Sequence, residues 1–309
     1  MITICYKESM KKAFFVIAIL LVVVVIVAPQ ESDNVASADM GPKPSVVVTF
    51  EHLDKECYVT LLSSEKSTGP HSVFDEEYGS FDERYGESKE KEIYAKFINY
   101  KDKDNYYFLQ VFDKLDADDN TFRWGYYPPY YFKILIYFPE YDKFVSSENL
   151  NRYAFESYFK VDMKDFSVTS EEQKLTATQN YDYLGESLKL LARIVLTIGA
   201  ELLVALIFCL ARKKVFKIII VINVITQVIL NVILQFVNYR SGAFTYIFIY
   251  VPLELGVIIL EAILYSIAFK KSKEKIRAPI TRAIWYSIVA NLLSFILGAV
   301  IMTFIPFLF

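Results

Sequence analysis

Glu201, Glu254 and Glu261 stand inside long apolar runs, where a carboxylate needs either a chemical purpose or a specific partner. An ionised carboxylate is poorly solvated by hydrocarbon, so each must be protonated, hydrogen-bonded to an amide, or holding a cation. Glu254 and Glu261 are seven residues apart and share one side of a helix. Asn223, Gln227 and Asn231 recur every fourth residue, and Asn291, Ser294 and Gly298 line one side of a further segment. Glu201, Glu254, Glu261, Asn223, Gln227 and Asn291 form the candidate intramembrane cluster, suited to a proton, a cation or a polar headgroup. A helical rise of about 1.5 Å per residue sets Glu261, Asn223 and Asn291 at about 20 Å depth, Glu201 and Gln227 at about 15 Å, and Glu254 at about 12 Å. Amides and hydroxyls at such depths also join helices structurally, at about 0.6–2 kcal/mol per hydrogen bond.

The second candidate is the run Trp124-Gly125-Tyr126-Tyr127-Pro128-Pro129-Tyr130-Tyr131. Its prolines cannot donate ladder hydrogen bonds, which makes it a strand end or an inter-strand loop. Exposed rings there, with Trp124, Tyr126, Tyr127 and Tyr130 foremost, would stack on sugars or on proline-rich partners; the same rings could instead seal the end of a core. His52 and His71 are the only histidines, and they read as isolated surface residues rather than metal ligands. The acidic turn at 116–120 lacks the glycine and distal glutamate of a calcium loop and reads as a solvated turn.

Four apolar segments must position the glutamates: residues 188–210, 218–237, 246–269 and 284–307, each long enough to cross a bilayer as a helix. Lys and Arg crowd the first and third links and leave the second with Arg240 alone, which predicts cytoplasmic first and third links and an external C-terminus. Lys11 and Lys12 precede an apolar run at 13–28 and the small-residue pattern Ala36-Ser37-Ala38, the layout of a secretory signal ending at 38. Met10 is an equally good start for that signal.

Between signal and spans, segments 46–50, 58–62, 93–100, 106–112, 132–138 and 155–161 are short, β-branched and aromatic, as strands are. The near-continuous apolar character of 58–62 and 132–138 fits strands buried on both faces. The predicted fold is therefore an α+β membrane protein: a signal peptide at 1–38, an exported immunoglobulin- or fibronectin-like β-sandwich with a stalk at 39–186, and a four-helix transmembrane bundle at 187–309. The acidic stretch 63–92 reads as a long surface loop, and 164–180 as a polar stalk.

Composition agrees with that division. Hydrophobic residues make up 54% of the 309 and the mean hydropathy is +0.30, too apolar for one ordinary soluble domain. A net charge of -3 offers no basic field for nucleic acid. No span contains histidine, which excludes His-Glu zinc sites and Ser-His dyads within the bilayer, and the links carry no glycine-rich nucleotide loop. No cofactor or metal is expected. Cys57 is the lone cysteine of the exported part, so no disulfide framework forms there, and a small buried apolar role suits it.

Asp39-Met40-Gly41-Pro42-Lys43-Pro44-Ser45, Gly125-Tyr126-Tyr127-Pro128-Pro129, and the seam of Glu201, Glu254, Glu261, Asn291, Ser294 and Gly298 resemble an uncharacterised family of membrane proteins from low-GC Gram-positive bacteria. The resemblance implies a plasma membrane with the β-domain on its outer face, and it implies no established activity. Two functions are expected from the whole: a non-enzymatic envelope protein presenting its β-domain to another membrane or envelope component, or a small transporter, ion-handling or lipid-modifying unit built on the intramembrane glutamates. Partners are the lipid bilayer and such a component, with no nucleic acid and no nucleotide.

Overall fold

The computed structural model describes residues 43–75, 89–169, 175–272, 276 and 278–304. The signal segment lies outside the described residues. The described residues divide into two compact units, a sheet-rich one within 43–181 with 239–242, and a helical one within 182–238 and 243–304.

Among the described residues the sheet-rich unit holds ten strands: β1 Ser45–Glu51, β2 Cys57–Ser63, β3 Tyr107–Phe108, β4 Asp113–Leu115, β5 Thr121–Trp124, β6 Tyr131–Phe138, β7 Lys143–Ser146, β8 Leu150–Asn151, β9 Glu156–Asp162 and β10 Ala177–Gln179. They make two sheets. One runs β10-β9-β1-β5; the other runs β3-β2-β6-β7, with β4 on β2 and β8 on β6. β1 pairs antiparallel with β5 and parallel with β9, setting Val48 between Phe122 and Phe159. On the other sheet Val59 faces Ile136 and Leu61 faces Ile134 across the β2–β6 ladder. These inward residues of both sheets form one apolar cluster, with Trp124, Phe132 and Val161 among its members.

The alternate residues of β2 and β6 are buried too, and their cover is a helix. α1, Lys89–Asn99, lays Ile93, Tyr94 and Phe97 against Tyr58, Leu62, Phe108, Leu135 and Tyr137. Residues 93–99 are therefore helical, where strand was expected over 93–100. The eight-residue window carried β-prone Ile, Tyr and Phe, but the preceding Lys-Glu-Lys-Glu extends it into a helix with one aromatic stripe. Phe97 lies 5.1 Å from Phe108 and 5.3 Å from Phe144, ring centroid to centroid. Segment 106–112 contributes only the two-residue β3. Short β5, β7, β8 and β10 escape the sequence because each is completed by pairing rather than by its own pattern.

The stretch read as a stalk is partly core. Val168 and Leu175 join the apolar cluster, and β10 is an edge strand on β9. The acidic turn is closed by Asp116, whose Oδ1 accepts from the backbone N–H of Asp118 at 2.9 Å and Asp119 at 3.0 Å. Cys57 is a buried free thiol on β2, its pKa pushed up to about 12 by burial and by Glu56 and Asp116.

One charged group is buried under α1. Lys133 on β6 donates to Asp102 at 2.8 and 3.0 Å and to Asp104 at 2.6 Å. Burial pulls the Asp102 carboxyl upward, but Lys133 and the backbone N–H groups of Asp104 and Tyr106 outweigh it and hold the group below the usual carboxylate range. Burial likewise depresses Lys133, and the two aspartates more than reverse it, raising the ammonium above its ordinary value.

The helical unit is built from α2 Tyr183–Ile207, α3 Lys213–Lys271 and α4 Pro279–Phe304. Asp182 caps α2 by accepting from the Gly185 N–H at 2.8 Å. α3 is 59 residues long and broken at Gly242, whose φ of 77° and ψ of 175° are non-helical. Three helices are long and apolar enough to cross a membrane. Their outward side chains, among them Leu203, Ile225, Ile229, Leu255 and Ile259, are exposed and apolar, the reverse of a water-soluble bundle. Inside, Val204, Phe208, Val215, Ile219, Phe269 and Val289 bring α2, both arms of α3 and α4 into one core.

Candidate functional site

The polar residues of the helical unit converge on two glutamates. Glu201, on α2, has none of its surface exposed, and its Oε2 accepts from Asn223 on the first arm of α3. Tyr265 on the second arm donates its hydroxyl to the same oxygen at 3.3 Å, and Tyr286 on α4 does so at 3.1 Å. Four helical segments therefore meet at one carboxylate. Asn223 also donates to the Tyr265 hydroxyl oxygen at 2.7 Å and to the Ile219 carbonyl at 3.2 Å.

Glu261, on the second arm of α3, is equally buried. Thr226 donates to its Oε1 at 2.6 Å and Asn291 of α4 donates to its Oε2 at 2.6 Å. The two halves are linked through α3, because the Thr226 hydroxyl is also within 3.2 Å of the Asn223 carbonyl. Ser287, one turn before Asn291, anchors α4 to the second arm by donating to the Ile258 carbonyl at 2.9 Å.

The remaining candidates lie apart. Glu254 is half-buried and hydrogen-bonded to Tyr250, one turn earlier on its own helix. Gln227 is buried, but its oxygens serve Asn231: the Asn231 amide donates to the Gln227 carbonyl at 2.8 Å and to its Oε1 at 3.3 Å. Asn223 partners Glu201, although depth alone grouped it with Glu261 and Asn291. Sequence reading missed Tyr265, Tyr286 and Thr226. Tyr265 follows Glu261 by four residues and Thr226 follows Asn223 by three, spacings that put each on its neighbour's face. Nothing local marks Tyr286, which reads as one more apolar residue of its helix.

In the sheet-rich unit the aromatic run separates into two roles. Trp124 is 2% exposed and seals the core, its indole N–H donating to the Tyr126 carbonyl at 3.0 Å. Pro128 and Pro129 are buried. Tyr126, Tyr127, Tyr130 and Tyr131 are 42%, 36%, 51% and 54% exposed, a rim of four rings on that seal. The rings pair edge to face, Tyr126 with Tyr127 at 5.0 Å and Tyr130 with Tyr131 at 4.8 Å. Lys43 lies over Tyr127 and Arg152 over Tyr130, at 5.2 and 5.6 Å from the centroids. His71 packs its ring against Trp124 and bonds the Tyr126 carbonyl at 3.0 Å, so it belongs to this rim rather than standing alone.

His52 is likewise partnered, with Asp162 at 2.9 Å. Glu51, His52 and Asp162 place three ligand atoms within 4.8 Å of one another. Glu51 is already paired with Lys160 at 2.9 Å, and Asp162 accepts the Lys164 N–H at 3.0 Å. The group is an exposed ion-pair cluster, and no metal is assigned to it. Compared with protein-family models, with curated proteins and with solved structures, the chain matches none.

Proposed function

We propose that this is a non-enzymatic cell-envelope protein of the plasma membrane that presents a β-sandwich domain outside the cell for recognition, on a four-helix membrane anchor. The break at Gly242 supports four spans, since an unbroken helix of α3's length would extend about 90 Å and a typical bilayer core is about 30 Å thick. Two sheets sharing one apolar cluster support the sandwich.

The observation that carries the recognition reading is the rim of Tyr126, Tyr127, Tyr130 and Tyr131, exposed beside two cationic side chains. Rings held this way offer flat apolar faces and hydroxyl edges at little entropic cost, as carbohydrate- and peptide-binding surfaces require. The rim is separable from stability, because Trp124 seals the core beneath it.

The test is cosedimentation of the full-length protein, in nanodiscs, with purified Gram-positive cell-wall sacculi. The wild type should pellet with the sacculi, and the variant with serine at 126, 127, 130 and 131 should stay in the supernatant with an unchanged melting curve. Equal pelleting of the two would refute a role for the rim. Opposite-side accessibility of tags at residues 65 and 273 checks the orientation, residue 65 being exposed just after β2.

A further inference from the structure

At the buried glutamates and their amide partners lie side-chain oxygens that no donor among the described residues reaches. Asn223, Thr226, Tyr265, Tyr286 and Asn291 all direct their N–H or O–H groups at the two carboxylates or at nearby oxygens. Glu201 Oε1, Asn223 Oδ1 and Asn291 Oδ1 are left buried and unpartnered. All three are acceptors, open to a proton or a cation.

Among the described residues, no cationic side chain hydrogen-bonds to either glutamate. The groups that face the pair are Asn223 and Thr226 from the first arm of α3, Tyr265 from the second, and Tyr286 and Asn291 from α4. Glu254, seven residues before Glu261, adds a further carboxyl. Arg193, on α2, bonds the Tyr246 hydroxyl at 3.3 Å. Two carboxylates in a hydrocarbon layer with no counter-charge cannot both stay bare.

We propose that Glu201 and Glu261, with the side-chain oxygens of Asn223 and Asn291, form an exchangeable site for a small monovalent cation, taken up as a proton or as Na⁺. An all-oxygen donor set suits a hard cation, and three free oxygens fall short of the roughly six to eight that Ca²⁺ takes. The site sits where α2, both arms of α3 and α4 meet, so filling and emptying it changes a contact common to all four segments. This inference does not depend on the aromatic rim.

The test uses the full-length protein in liposomes and a hydrophobic carbodiimide, which adds a protonated carboxyl across its C=N bond and rearranges to a stable N-acylurea without another reactant. Adducts at Glu201 and Glu261 are located by mass spectrometry. A proton site predicts labelling that falls several-fold from mildly acidic to mildly alkaline buffer in choline chloride. A Na⁺ site predicts a several-fold fall when NaCl replaces choline chloride at one pH. Difference infrared spectroscopy of the carboxylic C=O stretch, compared with Glu201→Gln and Glu261→Gln proteins, gives a reading that does not depend on reagent access. Carboxyl signals that ignore both pH and sodium in the infrared experiment would mean fixed structural protons and overturn the proposal, whatever the labelling shows.

Discussion

Asn291 of α4 donates its side-chain amide to Glu261 of α3 at 2.6 Å, and the same nitrogen reaches the Ser287 carbonyl one turn back on its own helix at 3.0 Å. The amide thus ties a helix to its neighbour while staying anchored to its own backbone. Replacing it with leucine keeps the branched shape, with methyl groups in place of the amide, and strips one donor from a buried carboxyl. Asn291→Leu should lower stability by about 1–2 kcal/mol, read from unfolding of the protein in bicelles. Thr226→Val, which strips the opposite oxygen of Glu261, should cost a similar amount, and the pair should be non-additive because both act on one group.

Lys133 and Asp102 provide a second test, in the sheet-rich unit. Lys133→Ala abandons Asp102 beneath α1 and should cost about 3–5 kcal/mol, whereas Asp104→Asn, at a largely exposed partner, should cost no more than about 1 kcal/mol. Asp102 is held below its ordinary value, so its contribution is complete above the usual carboxylate range and disappears as pH falls through the folded value. Lys133 is raised, so its contribution is complete below the ordinary lysine value and is lost only in strong alkali. Melting temperature against pH should therefore show a shallower acid limb in the double variant Asp102→Asn/Lys133→Met, the rest of that limb belonging to Asp116, Asp142 and Asp162, which are also held below the usual carboxylate range.

Cys57 should resist alkylation. Buried on β2 and pushed up to about 12, its thiol is almost wholly protonated at neutral pH and out of reach of reagent. Iodoacetamide should modify it only after denaturation, and fast labelling of the native protein would show that β2 is not where it is described.

Gly242 should not tolerate a side chain. Its φ of 77° lies in the left-handed half of the map, with ψ at 175°, a combination open essentially to glycine. A Cβ there would lie 2.5 Å from the Phe155 ring. Gly242→Ala should destabilise by about 1–3 kcal/mol or shift the break in α3, seen as a changed pattern of cysteine accessibility along 239–246.

Much of the architecture is written locally. The strands at 46–50, 58–62 and 132–138 declare themselves because β-branched and aromatic runs bounded by turns have few other places to go. The apolar lengths of the helices follow just as directly, as does the need for Glu201 and Glu261 to turn inward, since hydrocarbon solvates charge poorly whatever the fold. Tertiary structure alone decided that 93–99 coils under the second sheet, that Trp124 is a plug while its tyrosine neighbours are not, and that Tyr265 and Tyr286 are the partners of Glu201 while Glu254 stands aside. The physical reason is that burial is a one-dimensional property readable from side-chain type and period, whereas a hydrogen-bond partner is fixed by the rotation and depth of one helix against another, which no single segment contains.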